Sequence, residues 1–321
     1  MTTKGERGYG YNKNISLLPD HNGYGGGNGI SVPRGHQEKH LLDKCGSFND
    51  NGDNMIVKLF NDHFQNYKTY GIPKAQLIIA DIPYNLGNYA YASNPSWYVD
   101  GDNKKGESEN AGKEFFDTDK NFRPAEFMHF CSKLLKKEPK ATNSAPCMIV
   151  FCEFLQQFQL IELAKKYGLN RYINLVFRKD YSAQVLKANM RVVGNCEYAV
   201  LFYREKLPKF RNKGKMIFNC IEYERDSGKE KIHPTQKSIP VLKKLINWFT
   251  DEGDVVIDPT AGSGTTLIAA HELNRNTYGF EIKKDFYRDA VDLINKHIKF
   301  KYQKMDLFSS NENSKLKLLE V

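Results

Sequence analysis

Two aspartates in this chain follow short apolar runs and precede turn residues. Asp81 ends Leu77-Ile78-Ile79-Ala80-Asp81 and leads into Ile82-Pro83-Tyr84-Asn85-Leu86-Gly87. Asp258 ends Asp254-Val255-Val256-Ile257-Asp258 and leads into Pro259-Thr260-Ala261-Gly262-Ser263-Gly264-Thr265-Thr266. Each run has the length and β-branched content of a buried parallel strand. In an open α/β sheet, chemistry sits just past the carboxyl ends of such strands. Asp81 is therefore placed as a reactive carboxylate beside a rigid proline and an aromatic ring. The bland alternative is an aspartate that caps a turn, a proline that stops the strand and a tyrosine that packs.

The stretch after Asp258 is a strand, a glycine turn and a helix start. Glycines let backbone approach a ligand closely, and a helix N-terminus offers free N–H groups to an anion. A dinucleotide fingerprint would need a third glycine where Leu267 stands, and a phosphate-binding P-loop would need a lysine after Gly264; both fail. Asn276-Thr277-Tyr278-Gly279-Phe280-Glu281 reads as a second strand, ending in an acid 23 residues past Asp258. An acid there can accept hydrogen bonds from ribose hydroxyls. Asp81 and Asp258 lie far apart in sequence, yet strands flanking a switch point would bring both into one crevice.

The elements that must position these groups follow from periodicity. Apolar spacing predicts a helix from Met55 to about Tyr70, a helix from Pro124 to Lys137 and a strand over Cys147–Phe151. A helix from Leu155 to Tyr167 closed by Gly168 and a strand over Tyr172–Phe177 come next, and this alternation implies parallel strands with right-handed crossovers. Glu197 to Tyr203 reads as a core strand. His233-Pro234-Thr235-Gln236-Lys237 opens a helix with Val241, Leu242, Leu245, Ile246 and Phe249 on one face.

Composition sets the boundaries. With 321 residues and 40% hydrophobic content, the chain suits one large α/β domain with an insertion. The first 54 residues, rich in Gly, Asn, Asp and His, read as a flexible arm; residues 301–321 read as a polar tail, a frayed helix or weak DNA contact. Residues 88–120 read as a long loop over the site, where Tyr91, Trp97 and Tyr98 could stack on bases or pin the loop. No apolar run is long enough for a membrane span and no signal peptide is visible, so a soluble, cytoplasmic protein is expected. Six scattered cysteines suggest reduced, mostly buried thiols, with no zinc site and no metal.

The net charge of +9 favours an acidic partner, nucleic acid first. Residues 178–232 hold 13 Lys and Arg against 7 Asp and Glu, interleaved with aromatics. Cations for phosphates and planar groups for bases make this stretch the candidate target-recognition region.

Taken together, these segments resemble the S-adenosylmethionine-dependent DNA amino-methyltransferases that act on adenine N6 or cytosine N4, in the permuted β-group order. Asp81-Ile82-Pro83-Tyr84 resembles their Asp-Pro-Pro-Tyr catalytic motif, with isoleucine where proline is usual. The resemblance implies a doubly wound, mostly parallel α/β fold of the Rossmann-like class I type, with a catalytic domain over residues 55–300 and a basic target-recognition insertion. It makes Asp81, Ile82, Pro83 and Tyr84 catalytic and S-adenosylmethionine the cofactor. Asp258, Thr260, Gly262, Gly264 and Thr265 would form the cofactor loop, with Glu281 as the ribose acid. Thr235 and Lys237, in the His-Pro-Thr-Gln-Lys segment, would help hold the methionine end. Asp at position 81 resembles the adenine-methylating members more than the cytosine-N4 ones. The implied partner is double-stranded DNA, the protein a monomer or homodimer, and any restriction endonuclease a separate protein. Alternatives are cytosine-N4 methylation, a catalytically silent DNA-binding relative, and a methyltransferase acting on RNA, protein or a small molecule.

Overall fold

The computed structural model describes residues 45–48, 55–84, 122–180, 194–226 and 236–319, with side chains as far as Lys301. All of them belong to the unit His40–Val321. Among the described residues, nine strands form one sheet. They are β1 (Cys45–Phe48), β2 (Val57–Phe60), β3 (Leu77–Asp81), β4 (Cys147–Cys152), β5 (Arg171–Arg178), β6 (Cys196–Tyr203), β7 (Cys220–Glu222), β8 (Val255–Asp258) and β9 (Asn276–Phe280). The helices are α1 (Pro124–Leu134), α2 (Gln156–Lys166), α3 (Ile239–Phe249), α4 (Thr265–Glu272) and α5 (Lys284–Leu319). The spatial order is β1-β2-β9-β8-β3-β4-β6-β5-β7.

The centre of the sheet is parallel and its chain path reverses there. From β3 the chain passes through α1 to the neighbour on one side, β4; from β8 it passes through α4 to the neighbour on the other side, β9. β3 and β8 are themselves parallel neighbours, with Leu77 opposite Val256 and Ile78 opposite Ile257. Crossovers of one hand running in opposite directions put their helices on opposite faces and leave a crevice at the carboxyl ends of the two strands.

Side-chain alternation assigns the two faces. Leu77, Ile79 and Val256 join one buried cluster with residues of α3, α4 and α5, whereas Ile78, Ala80 and Ile257 join another with residues of α1 and α2. A strand buried on both sides needs apolar residues at every position; β4 has them throughout, and β3 and β8 have them up to their terminal aspartates. The helix ends follow local chemistry. Pro124 opens α1, Ser238 Oγ accepts from Val241 N to cap α3, and Gly168 follows α2 at φ 78°.

Several expectations are corrected. Met55–Tyr70 is not one helix: β2 pairs in parallel with β9, and a short 3₁₀ helix covers Phe64–Tyr70. Val57 and Leu59 are buried at a spacing of two, and four backbone-paired residues beside β9 outweigh a helical pattern in the sequence. The Asp62 carboxylate accepts from His63 N, Asn66 Nδ2 and the Tyr70 hydroxyl, which braces the 3₁₀ turn. The arm expected over residues 1–54 lies mostly outside the described residues, but Cys45–Phe48 near its end is a strand, antiparallel to β2.

β5 does not neighbour β4. The antiparallel strand β6 lies between them and pairs with both. The expected tail continues as helix, since α5 runs to Leu319. Of the target-recognition stretch, β6 and β7 are part of the sheet, whereas residues 181–193 and 227–232 lie outside the described residues, as does the loop 88–120. All six cysteines are unpaired, but Cys196 and Cys220 are exposed and only Cys131, Cys147 and Cys152 are buried. Among the described residues, no helix is long and apolar enough to cross a membrane.

Candidate active site

Asp81 closes β3 beside Phe151 of β4. The next residues are held by backbone and side-chain bonds. Ile82 N donates to Phe151 O at 3.2 Å, and Gln156 Nε2 donates to Pro83 O at 2.9 Å. The Ile82 side chain is buried in the core beneath the turn, so isoleucine at this position is accommodated by packing. Pro83 biases Ile82 toward extended backbone.

Lys237, just before α3, reaches into the same place. Its Nζ lies 3.1 Å from Asp81 Oδ1 and 3.3 Å from Glu197 Oε2, and it donates to the Tyr84 hydroxyl at 3.3 Å. It also sits 5.6 Å from the Tyr84 ring centroid and 5.0 Å from that of Phe151. Neither Asp81 Oδ1 nor Glu197 Oε2 receives an aligned hydrogen bond. The lysine is an ionic neighbour to both, and each buried oxygen keeps acceptor capacity. Burial pushes the Asp81 carboxyl up to about 6; Lys237 opposes that rise and Glu197 adds to it. Burial works against the Lys237 ammonium, but Asp81 and Glu197 outweigh it and hold its pKa well above the ordinary value.

The glycine loop after β8 forms the other wall. Asp258 is buried and accepts from Thr260 N at 3.0 Å. Burial raises its carboxyl to about 7, with Asp81 and Glu281 adding to the rise and hydrogen bonds from Thr266 and Thr260 opposing it. Gly264 caps α4 at φ 74°, a left-handed conformation suited to glycine. Thr265 and Thr266 then begin the helix, buried, where the first-turn N–H groups have no intrahelical partner.

Glu281 lies one residue past β9. Its Oε2 accepts from Gly262 N at 3.0 Å and its Oε1 from Lys283 N at 2.7 Å, while Asn61 Nδ2 donates to its backbone carbonyl. Burial raises its carboxyl, and those backbone donors work against the rise.

The sequence-derived residues therefore fall into two groups. Asp81, Tyr84 and Lys237 meet directly; Asp258, Thr260, Gly262, Gly264, Thr265 and Glu281 line the adjoining loop. Thr235 lies outside the described residues. Lys237, which the family resemblance assigns to the methionine end of a cofactor, contacts the Asp81 carboxylate here. Glu197 and Lys179 were not anticipated. A lone glutamate near the start of the apolar run Cys196–Tyr203 signals a buried charge, but nothing local names its partner. Among the described residues, no group of three or more His, Cys, Asp or Glu is placed to hold a metal ion.

The loop fits a nucleoside cofactor. Thr260 Oγ1 is buried with no hydrogen-bond partner, two acids stand at adjacent strand ends, and a helix N-terminus opens between them. A parallel α/β sheet with such a loop at the switch point, and a second carboxylate across it, is the arrangement in which doubly wound proteins bind nucleoside-type ligands.

Comparison with known proteins makes that class specific. The DNA methylase family N6_N4_Mtase matches residues 75–292, and this chain belongs to it, the S-adenosylmethionine-dependent DNA amino-methyltransferases. The chain is similar to the type II methyltransferase M.HindIII of Haemophilus influenzae, at 42% identity over 24% of this chain and 25% of that one. It is also similar to the DNA adenine methyltransferase YhdJ of Escherichia coli, at 24% identity over 74% of this chain and 82% of that one. The crystal structure of the M1.HpyAVI–SAM complex shares the fold, with a TM-score of 0.52 and 21% identity over 74% of this chain and 98% of that one. The matches to four curated relatives span 25%, 51%, 36% and 52% of their lengths.

Proposed function

We propose that this protein transfers a methyl group from S-adenosylmethionine to the N6 amine of a flipped-out adenine in duplex DNA. The observation that carries the reading is Asp81 Oδ1, a buried carboxylate oxygen without an aligned donor, at the switch point beside the glycine loop. An exocyclic amine is a poor nucleophile because its lone pair is delocalised into the ring. Asp81 and the carbonyl oxygen of Ile82 accept its two N–H bonds, which lets the nitrogen pyramidalise and frees that pair. Bound S-adenosylmethionine would supply an electrophilic sulfonium methyl: the S–C bond breaks as the N–C bond forms, the sulfur leaves as a neutral thioether, and the surplus proton on the amine passes to Asp81.

Asp258, Thr260 and the backbone from Gly262 to Thr265 hold the cofactor, and Glu281 takes the ribose hydroxyls. Holding both reactants in register supplies much of the rate. A base inside a duplex cannot reach this pocket, so it leaves the stack, with Tyr84 as its platform. Exposed Phe154 and Phe158, packed edge to face at 5.8 Å, stand at the same end of β4 with Tyr198 against Phe154 at 5.4 Å. Planar groups at that rim support a nucleic-acid substrate.

The family spans both amines, so cytosine N4 is the second reading. The aspartate at position 81 and the likeness to an adenine methyltransferase favour adenine. The test is transfer of tritiated methyl from S-adenosylmethionine to unmethylated duplex DNA, with nucleoside digestion and mass spectrometry. N6-methyladenine is expected. N4-methylcytosine would replace the base while keeping the chemistry, and binding of cofactor and DNA without turnover would make the chain a silent relative.

A further inference from the structure

Four charged side chains from four segments meet at the end of β3, and their charges cancel. Asp81 ends β3, Lys179 follows β5, Glu197 is the second residue of β6 and Lys237 precedes α3. Lys237 Nζ stands between the two acids, at 3.1 Å from Asp81 and 3.3 Å from Glu197. Glu197 is in turn paired with Lys179, whose Nζ lies 4.8 Å from the Tyr223 ring centroid. Both lysines are buried. Burial alone would raise the Glu197 carboxyl, but the two lysines outweigh it and hold it below its usual range.

A lysine facing Asp81 alone would clamp that carboxylate in a tight ion pair and weaken it as an acceptor. A second anion sharing the lysine relieves the clamp, and a second cation keeps that anion ionised.

We propose that Glu197 is a positioning residue for the transfer step: by sharing the Lys237 ammonium with Asp81, it loosens the hold of that lysine and leaves the Asp81 carboxylate open to the amine of the target base. The proposal rests on the methyltransferase reading above for the identity of that step. Its geometric mark is that Asp81 Oδ1 and Glu197 Oε2 both face the same ammonium and neither receives an aligned hydrogen bond.

The other titratable groups around Asp81 in the described residues are Tyr84 beyond its own strand, Cys152 and Glu153 at the end of β4, Tyr223 after β7, and Asp258 on β8. Lys237 lowers the Asp81 pKa and Glu197 raises it. Removing either one therefore moves Asp81 in opposite directions, which loss of packing alone would not do.

The experiment measures kcat against pH for the full chain and for Glu197→Gln and Lys237→Met. In parallel, the Asp81 carboxyl is titrated by ¹³C NMR without ligand, identified as the resonance lost in Asp81→Asn. Glu197→Gln should move the acidic limb down by about 1 pH unit with a lower plateau, and Lys237→Met should move it up by about 1–3 units. An upward shift of about 2 units from a midpoint near 6 lowers the rate at pH 7 roughly ten-fold. Glu197→Asp should restore the wild-type limb, and the KM for S-adenosylmethionine should move less than kcat.

Shifts in the same direction, or a uniform loss with an unmoved limb, would overturn the proposal. If Glu197→Gln does not fold, the wild-type titration decides: an Asp81 midpoint near the ordinary 3.8 overturns it, and one near 6 with Glu197 below its usual range supports it. Opposite NMR shifts in a chain that methylates no DNA would leave the shared ammonium standing and remove the functional reading instead.

Discussion

Gly264→Ala tests whether the cofactor loop is shaped by one glycine. Two separate costs apply. The residue sits at φ 74°, where an L side chain costs about 1 kcal/mol or somewhat more. A Cβ there would also stand 2.9 Å from Ile294 Cδ1 and 3.5 Å from Ala290 Cβ. Both neighbours are buried in α5, so the clash adds roughly 1–3 kcal/mol of overpacking. The sum is about 2–4 kcal/mol. Gly71→Ala is the control, because Gly71 has φ 58° and nothing within 4 Å of the added carbon. It should cost only the backbone part, about 1 kcal/mol.

Urea denaturation of the ligand-free protein measures both variants, and calorimetric titration of S-adenosylmethionine measures the consequence for binding. Gly264→Ala should lose the larger stability and bind the cofactor more weakly, since relief of the clash moves the start of α4. Gly71→Ala should bind as the wild type does. Equal destabilisation of the two variants would refute the steric argument.

Three further outcomes follow from the site. Asp81→Ala should lower methyl transfer by about 10²–10³-fold or more, with S-adenosylmethionine affinity by calorimetry nearly unchanged; full activity would end the carboxylate mechanism. Glu281→Ala removes the acceptor of Gly262 N and Lys283 N and should weaken cofactor binding by roughly 10–100-fold, whereas unchanged affinity would remove Glu281 from the ribose site. Asp258 has a folded-state pKa of about 7 against an ordinary 3.8, so the folded protein holds this proton more tightly and loses stability from this group as pH rises between those values. Asp258→Asn should therefore raise Tm more at pH 8 than at pH 4, and an equal or reversed difference would contradict the burial cause.

The amino-acid sequence by itself determined the strands that carry the site. β3, β4 and β8 are continuous apolar runs closed by turn residues, β9 ends one residue before the acid expected for ribose, and α3 declares its buried face through Val241, Leu242, Leu245, Ile246 and Phe249. These signals are local, because burial on one or both sides prescribes residue type at each position. Two apolar runs, each ending in an aspartate, also place Asp81 and Asp258 in one crevice, at the ends of the neighbouring strands β3 and β8.

What the tertiary structure alone decided concerns partners distant in the chain. The segment Val57–Phe60 became a strand because β9, more than 200 residues later, offered it a ladder. β6 entered between β4 and β5 although it follows both. Lys237 turned to Asp81, and Glu197 and Lys179 joined them, for the same reason. A buried charge announces that it needs a counter-charge, but only the packed sheet determines which residue supplies it.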